Sequence, residues 1–116
     1  MTKLLPLTIL ILSSLNVIGQ GFKIKNDASR GQKKGYYNWK IYLVGHADTL
    51  RKIKEVTYTL HPTFKYPVQT VTYKQSKIFE YKASGWGEFD IKVKIVYNDK
   101  RRYPFYSVHH LNLKIN

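Results

Sequence analysis

Large apolar side chains recur at every second position in short bursts along this chain, and polar or glycine-containing stretches separate the bursts. Phe89, Ile91, Val93, Ile95 and Tyr97 alternate with Asp90, Lys92, Lys94 and Val96. A period of two sends successive side chains to opposite faces of an extended backbone, so this run predicts a strand with one apolar and one mostly charged face. Trp39, Ile41 and Leu43, set against Lys40 and Tyr42, predict a second strand. Val56, Tyr58 and Leu60, set against Thr57 and Thr59, predict a third. Leu111, Leu113 and Ile115 extend the same rhythm to the end of the chain. Nothing repeats with the period of a helix, and none is expected.

Turns are expected where hairpins need them. Gly45 to Thr49 and Asn98 to Arg102 are polar stretches between strand patterns. Pro62 and Pro67 bracket a loop, since proline cannot donate to a ladder inside a central strand. Gly31 and Gly35 lie in a flexible lead-in loop that follows an N-terminal strand, together spanning residues 20–35. The main domain is expected over 36–116, with the sandwich itself beginning near residue 22. About seven or eight short antiparallel strands at this spacing predict an all-β, immunoglobulin-like sandwich, with a small barrel as the alternative closure.

The first residues break the pattern. Lys3 precedes an apolar run from Leu4 to Leu15, and Val17 and Gly19 sit where a signal peptidase reads small or tolerated side chains. Residues 1–19 are therefore expected to be a signal peptide, with Gln20 as the new N-terminus, and the mature chain is expected to be exported to the periplasm or outside the cell. The run is shorter than the roughly 20 apolar residues that span a bilayer, so no integral span is expected in the mature chain; an uncleaved anchor is the alternative.

Composition narrows the chemistry. The chain has 116 residues, room for one domain and a modest core, and no cysteine. Disulfides, thiol catalysis and thiolate metal sites are excluded. The formal charge is +13, with local clusters at Lys33-Lys34, Arg51-Lys52 and Lys100-Arg101-Arg102. Such an excess fits a solvated surface or attraction to anionic polymers and lipid surfaces. Acid–base machinery is sparse. Glu88 and Asp90 share the water-facing side of a strand. His109 and His110 are neighbours that point to opposite faces, and His46 lies in a turn. No enzyme, cofactor or metal site is expected.

Two aromatic loops stand out: Leu60-His61-Pro62-Thr63-Phe64 after one strand, and Ser84-Gly85-Trp86-Gly87-Glu88-Phe89 before the strongest one. Glycines on both sides of Trp86 suggest a tight turn holding a flat ring at a loop tip. Together with Trp39 to Leu43 and Val56 to Thr59, these runs resemble the YEATS domain in order and spacing over roughly residues 36 to 115, and the exported, compact form is most similar to its prokaryotic branch. The resemblance implies a binding module whose ligand is an acylated lysine. Trp86 and Phe64 would sandwich the flat acyl amide, and the Thr63 hydroxyl would hydrogen-bond to it. The Trp86 backbone N–H would hold its carbonyl and His61 would line the wall. A further aromatic would come from Tyr36 or Tyr37, Tyr36 being preferred, and Gly85, Gly87 and Phe89 complete the set. Acylation replaces an ammonium, whose desolvation costs several kcal/mol, with a neutral amide that stacks for about 0.5–1.5 kcal/mol. Two other functions fit the residues: a structural or protein-interaction sandwich of the cell envelope, and a salt-dependent binder of anionic polymer or lipid.

Overall fold

The computed structural model describes residues 21–115, so the expected signal peptide lies outside the described residues. Seven strands run as β1 (Phe22–Arg30), β2 (Tyr37–Gly45), β3 (Ile53–Thr59), β4 (Val68–Thr72), β5 (Tyr81–Gly85), β6 (Asp90–Tyr97) and β7 (Phe105–His110). They form two antiparallel sheets, ordered β1-β2-β5 and β4-β3-β6-β7. Two separate sheets make a sandwich and exclude the barrel.

The alternation explains the layers. Trp39, Ile41 and Leu43 of β2 face Val56 and Tyr58 of β3 and Ile91, Val93 and Ile95 of β6, all of them buried. Their neighbours Lys92 and Lys94 stay on the outside. A register shift between Ile53 and Glu55 marks a bulge in β3, which lets both Ile53 and Val56 reach the core although they are three apart. Between β4 and β5 the chain turns back and inserts Phe79, fully buried at a φ of 56°. A bulky residue in this left-handed region carries a strain of about 1–3 kcal/mol. Its fixed place in the core and the Tyr58 hydroxyl, which donates to its carbonyl at 2.7 Å, hold it there.

The structure corrects two expectations. The stretch Gly45 to Thr49 is not a simple turn, because Ala47–Leu50 forms one helical turn, α1, that buries Leu50. One turn is too short to show a helical period, and the sequence hid it. The rhythm of Leu111, Leu113 and Ile115 is not a strand: Leu111 and Leu113 are buried, Ile115 is exposed, and the final strand is β7. Leu111 attaches instead through its N–H to the Phe89 carbonyl at 2.9 Å, just beyond the ladder. The loops after β3 and β5, the start of β2 and the end of β7 all meet at one end of the sandwich.

Candidate functional site

The loop after β3 is tied at its base by the Leu60 N–H, which donates to the Pro67 carbonyl at 2.7 Å. Leu60 is buried, so the residues behind it project from a fixed root. The Phe64 N–H donates to the His61 carbonyl at 3.0 Å, making a tight turn. Within that turn the Thr63 N–H reaches His61 Nδ1 at 3.2 Å, and Thr63 Oγ1 lies 2.9 Å from the same nitrogen. A backbone N–H can only donate, so Nδ1 is the acceptor and the Thr63 hydroxyl must give it its proton. The lone pairs of that hydroxyl are then left to accept a bond from outside.

Phe64 turns toward the core. Its ring lies 5.4 Å from Phe89 and 6.4 Å from Trp39, the latter edge-on at 83°. Phe89 also meets Trp39 at 6.1 Å and His61 at 6.0 Å. These rings form one locked cluster backed by buried Trp39. Trp86 differs: it is 71% exposed and, among the described residues, its indole packs against no other ring. Between them lies a cavity of about 430 Å³ lined by every residue expected to form the site: Tyr36, His61, Thr63, Phe64, Gly85, Trp86, Gly87 and Phe89. That volume lies within the range typical of small-ligand pockets. Tyr36, not Tyr37, reaches it; Tyr37 lies in β2, paired with Gly85. The Lys33 ammonium sits 4.6 Å from the Tyr36 ring.

The two glycines flank the expected bend without adopting the backbone conformation that only glycine favours. Neither adopts a positive φ, which among the described glycines is found at Gly21 and Gly35. A side-chain carbon on Gly87 would meet nothing within 4 Å, and one on Gly85 would touch the Phe64 ring at an ordinary 3.8 Å. The chain bends at Trp86 and Gly87 as expected, without a positive φ, and the glycines leave bare space around the indole.

The exit of the Trp86 loop is fastened. One Glu88 oxygen lies 3.1 Å from His110 Nε2, and the other accepts the Leu113 N–H at 2.9 Å. Asp90 Oδ1 lies 2.8 Å from His110 Nδ1. The carboxylates of Asp90 and Glu88, one on each ring nitrogen, raise the His110 pKa above its ordinary value. The Leu113 N–H, and then His110, hold Glu88 below the usual carboxylate range. On the opposite face His109 contacts Asn26 Oδ1 at 2.7 Å, and its burial lowers its pKa.

A model of the prokaryotic YEATS domain matches residues 37–107. The chain belongs to the YEATS family. It is 33% identical over 99 residues to transcription initiation factor TFIID subunit 14 of Schizosaccharomyces pombe, covering 80% of this chain and 38% of that protein. To the protein AF-9 homolog of the same yeast it is 31% identical over 94 residues, covering 77% and 41%. The chain thus spans about two fifths of the length of these curated relatives. Among solved structures, the Yaf9 YEATS domain bound to H3K27ac superposes with a TM-score of 0.66 at 26% identity, covering 82% of this chain and 76% of the other. The same domain recognizing an H3K122suc peptide gives 0.65 at 27%, covering 79% and 74%. The immunoglobulin-like sandwich is therefore a YEATS fold.

Sequence reasoning missed three residues that line the cavity of this YEATS domain: Lys65, Ser84 and Glu88. It also read Trp39 only as core, whereas Trp39 backs Phe64 and Phe89. The available signal was adjacency, since each flanks a residue already singled out. A larger depression of about 620 Å³ lies over β1, β2 and β5. Its charges are paired, Lys40 Nζ lying 4.0 Å from Asp27 within it and 3.7 Å from Glu80 beside it, so it makes a poor slot for a neutral flat group.

Proposed function

We propose that this YEATS domain is a binding module that takes an acylated lysine side chain into the cavity between Phe64 and Trp86. The single observation that carries this reading is the union of the eight residues around one cavity, with an exposed indole on one side and a locked ring cluster on the other. The acyl amide enters flat between Trp86 and Phe64. Its N–H donates to the Thr63 hydroxyl, whose own proton is committed to His61. An unmodified lysine would have to shed its hydration in the same place, at an effective cost of several kcal/mol, and is rejected. Relatives in complex with H3K27ac and H3K122suc peptides support the ligand class.

The peptide around that lysine differs from a lysine-rich tail. The chain's formal charge of +13 lowers the encounter rate with any basic partner. Titration of acetyl- and crotonyl-lysine peptides on a neutral scaffold against wild type and Trp86→Ala tests the reading. Saturable binding that weakens about tenfold or more in the variant is expected. Wild-type protein that fails to saturate by about 1 mM, roughly −4 kcal/mol, would refute it. Lys3 and the apolar run Leu4 to Leu15 support export of the domain, and N-terminal sequencing of the secreted protein, with Gln20 expected first, checks that part.

A further inference from the structure

Strand register composes the outer face of the four-stranded sheet. Outward residues alternate with the core positions, and antiparallel pairing sets them in rows across the strands. Val68, Thr59, Lys92 and Val108 stand side by side across β4, β3, β6 and β7. Thr70, Thr57, Lys94 and Tyr106 form the next row. Val68, Tyr106 and Val108 are each at least 60% exposed. A cavity of about 390 Å³ lies over these rows, with Lys92 and Lys94 among its lining. Charge in the middle of the face has one sign. Among the described residues no carboxylate lies within ion-pair distance of Lys92 or Lys94, and the Lys94 ammonium sits 6.0 Å from the Tyr106 ring. The acids that share the face stand at its ends. Asp90 is held by His110 at 2.8 Å, and Glu55 lies one row beyond Thr57, opposite Thr72 and Val96. A solvated face gains by setting opposite charges against each other across strands. Here each lysine meets a threonine on one side and an exposed apolar side chain on the other.

We infer that this face is a docking surface for an extended acidic segment of a partner protein, with carboxylates at every second residue and apolar side chains beside them. Lys92 and Lys94 are two residues apart on β6, which sets their stems about 6.8 Å apart, and an extended segment repeats its own side chains at the same interval. Two carboxylates of such a segment therefore meet both ammonium groups at once. Val108 and Tyr106 flank that track on β7, and Val68 lies beyond the threonines on β4. Apolar surface on both flanks suits a protein segment, whereas a wholly hydrophilic anionic polymer would leave it wet. A second copy of this chain brings a formal charge of +13 and its own lysines to the face, and is repelled. The face shares no lining residue with the cavity between Phe64 and Trp86, so this inference stands apart from the acyl-lysine reading.

Fluorescence anisotropy with two labelled peptides of identical composition tests the inference. One peptide alternates Glu and Val, and the other holds its Glu and Val in separate blocks. At low salt, wild type is expected to bind the alternating peptide about threefold more tightly than the block peptide, the gain of about one further exposed ion pair. Lys92→Gln with Lys94→Gln is expected to weaken the alternating peptide about five- to tenfold, as loss of two exposed pairs does. Lys23→Gln with Lys25→Gln removes the same charge from exposed positions on β1 of the other sheet. That pair is expected to change binding by about twofold or less, which separates a local contact from the general positive field. Tyr106→Ser is expected to weaken binding about threefold, in high salt as well, where the ion pairs are screened. Melting curves check that each variant folds, and Tyr106→Ser on edge strand β7 carries the test alone if the Lys92 and Lys94 pair unfolds. Equal binding of the two peptides, equal losses in the two lysine pairs, or no saturation of wild type by about 1 mM overturns the inference. So does sedimentation that finds a wild-type dimer which Tyr106→Ser dissolves, since a second copy would then occupy the face.

Discussion

The two tryptophans of this domain meet opposite fates. Trp39 is 3% exposed and Trp86 is 71% exposed. Trp39 lies in the middle of β2, where alternation and two neighbouring strands leave its side chain only one direction, into the core. Trp86 lies just past the end of β5, between two residues with no side chain, and its ring is left largely exposed. Burial leaves Trp39 with one cost: among the described residues its indole N–H has no hydrogen-bond partner. Both indoles border the same aromatic cluster, one from behind and one from solvent. The difference shows how one residue type ends up buried or exposed in a sandwich, with ladder position deciding which.

The largest effect that can test this contrast is a pair of truncations. Trp39→Ala is expected to lower stability by about 3–5 kcal/mol in urea unfolding, as removal of a large core aromatic does. Trp86→Ala is expected to stay within about 0.5 kcal/mol of wild type, because an exposed ring has little packing to lose. Equal losses in the two variants would show that Trp86 is part of the core and would undo the contrast. An intermediate effect comes from the core side. Tyr58→Phe leaves the Phe79 carbonyl, at its strained φ, without its buried donor, and a loss of about 1–3 kcal/mol is expected in the same unfolding measurement. A neutral outcome would mean that the Tyr58 bond does not hold the insertion in place.

The smallest effect lies at the rim, in the pH dependence of stability. The pKa of His110 is raised in the fold by Asp90 and Glu88, so its stabilising contribution is complete below the ordinary histidine value and is lost as pH rises through the elevated one. Its neighbour His109 has a lowered pKa, so stability falls as pH drops below the ordinary value. Glu88, also facing Lys114, adds stability above the usual carboxylate range that is lost as pH falls through its lowered value. Between about pH 5 and pH 8 the two histidines therefore pull in opposite directions. His110→Gln is expected to cost stability on the acid side of that window and little on the alkaline side, whereas His109→Gln is expected to relieve the acid-side loss. Thermal melts across the window check this, and profiles that shift in parallel would argue against it.

The strands that dominate the core were legible because their inward residues are large and apolar: Trp39, Ile41 and Leu43 in β2, and Ile91, Val93 and Ile95 in β6. β7 was not, because its half-buried positions are Phe105, Ser107 and His109, whose polar members erase the hydrophobic alternation. The buried pair Leu111 and Leu113 then imitated a strand beyond it. β4 and β5 span five residues each, too few for a periodic signal. The expected site residues came together as a set, since the loop pieces that carry them are local in sequence and their strands fix where the loops emerge. Lys65 escaped notice because a lysine in a loop reads as solvated surface, and only the three-dimensional wall of the cavity reveals what it faces.

The cavity draws on both layers of the sandwich. Tyr36 leads into β2 of the three-stranded sheet, His61 to Phe64 leave β3 of the four-stranded sheet, and Trp86 sits on the connection from one to the other. Its aperture is consequently an inter-sheet spacing, determined by how much side-chain volume keeps the two layers apart. Substitutions deep in the interior should thus change the width of the opening without altering a single atom that lines it.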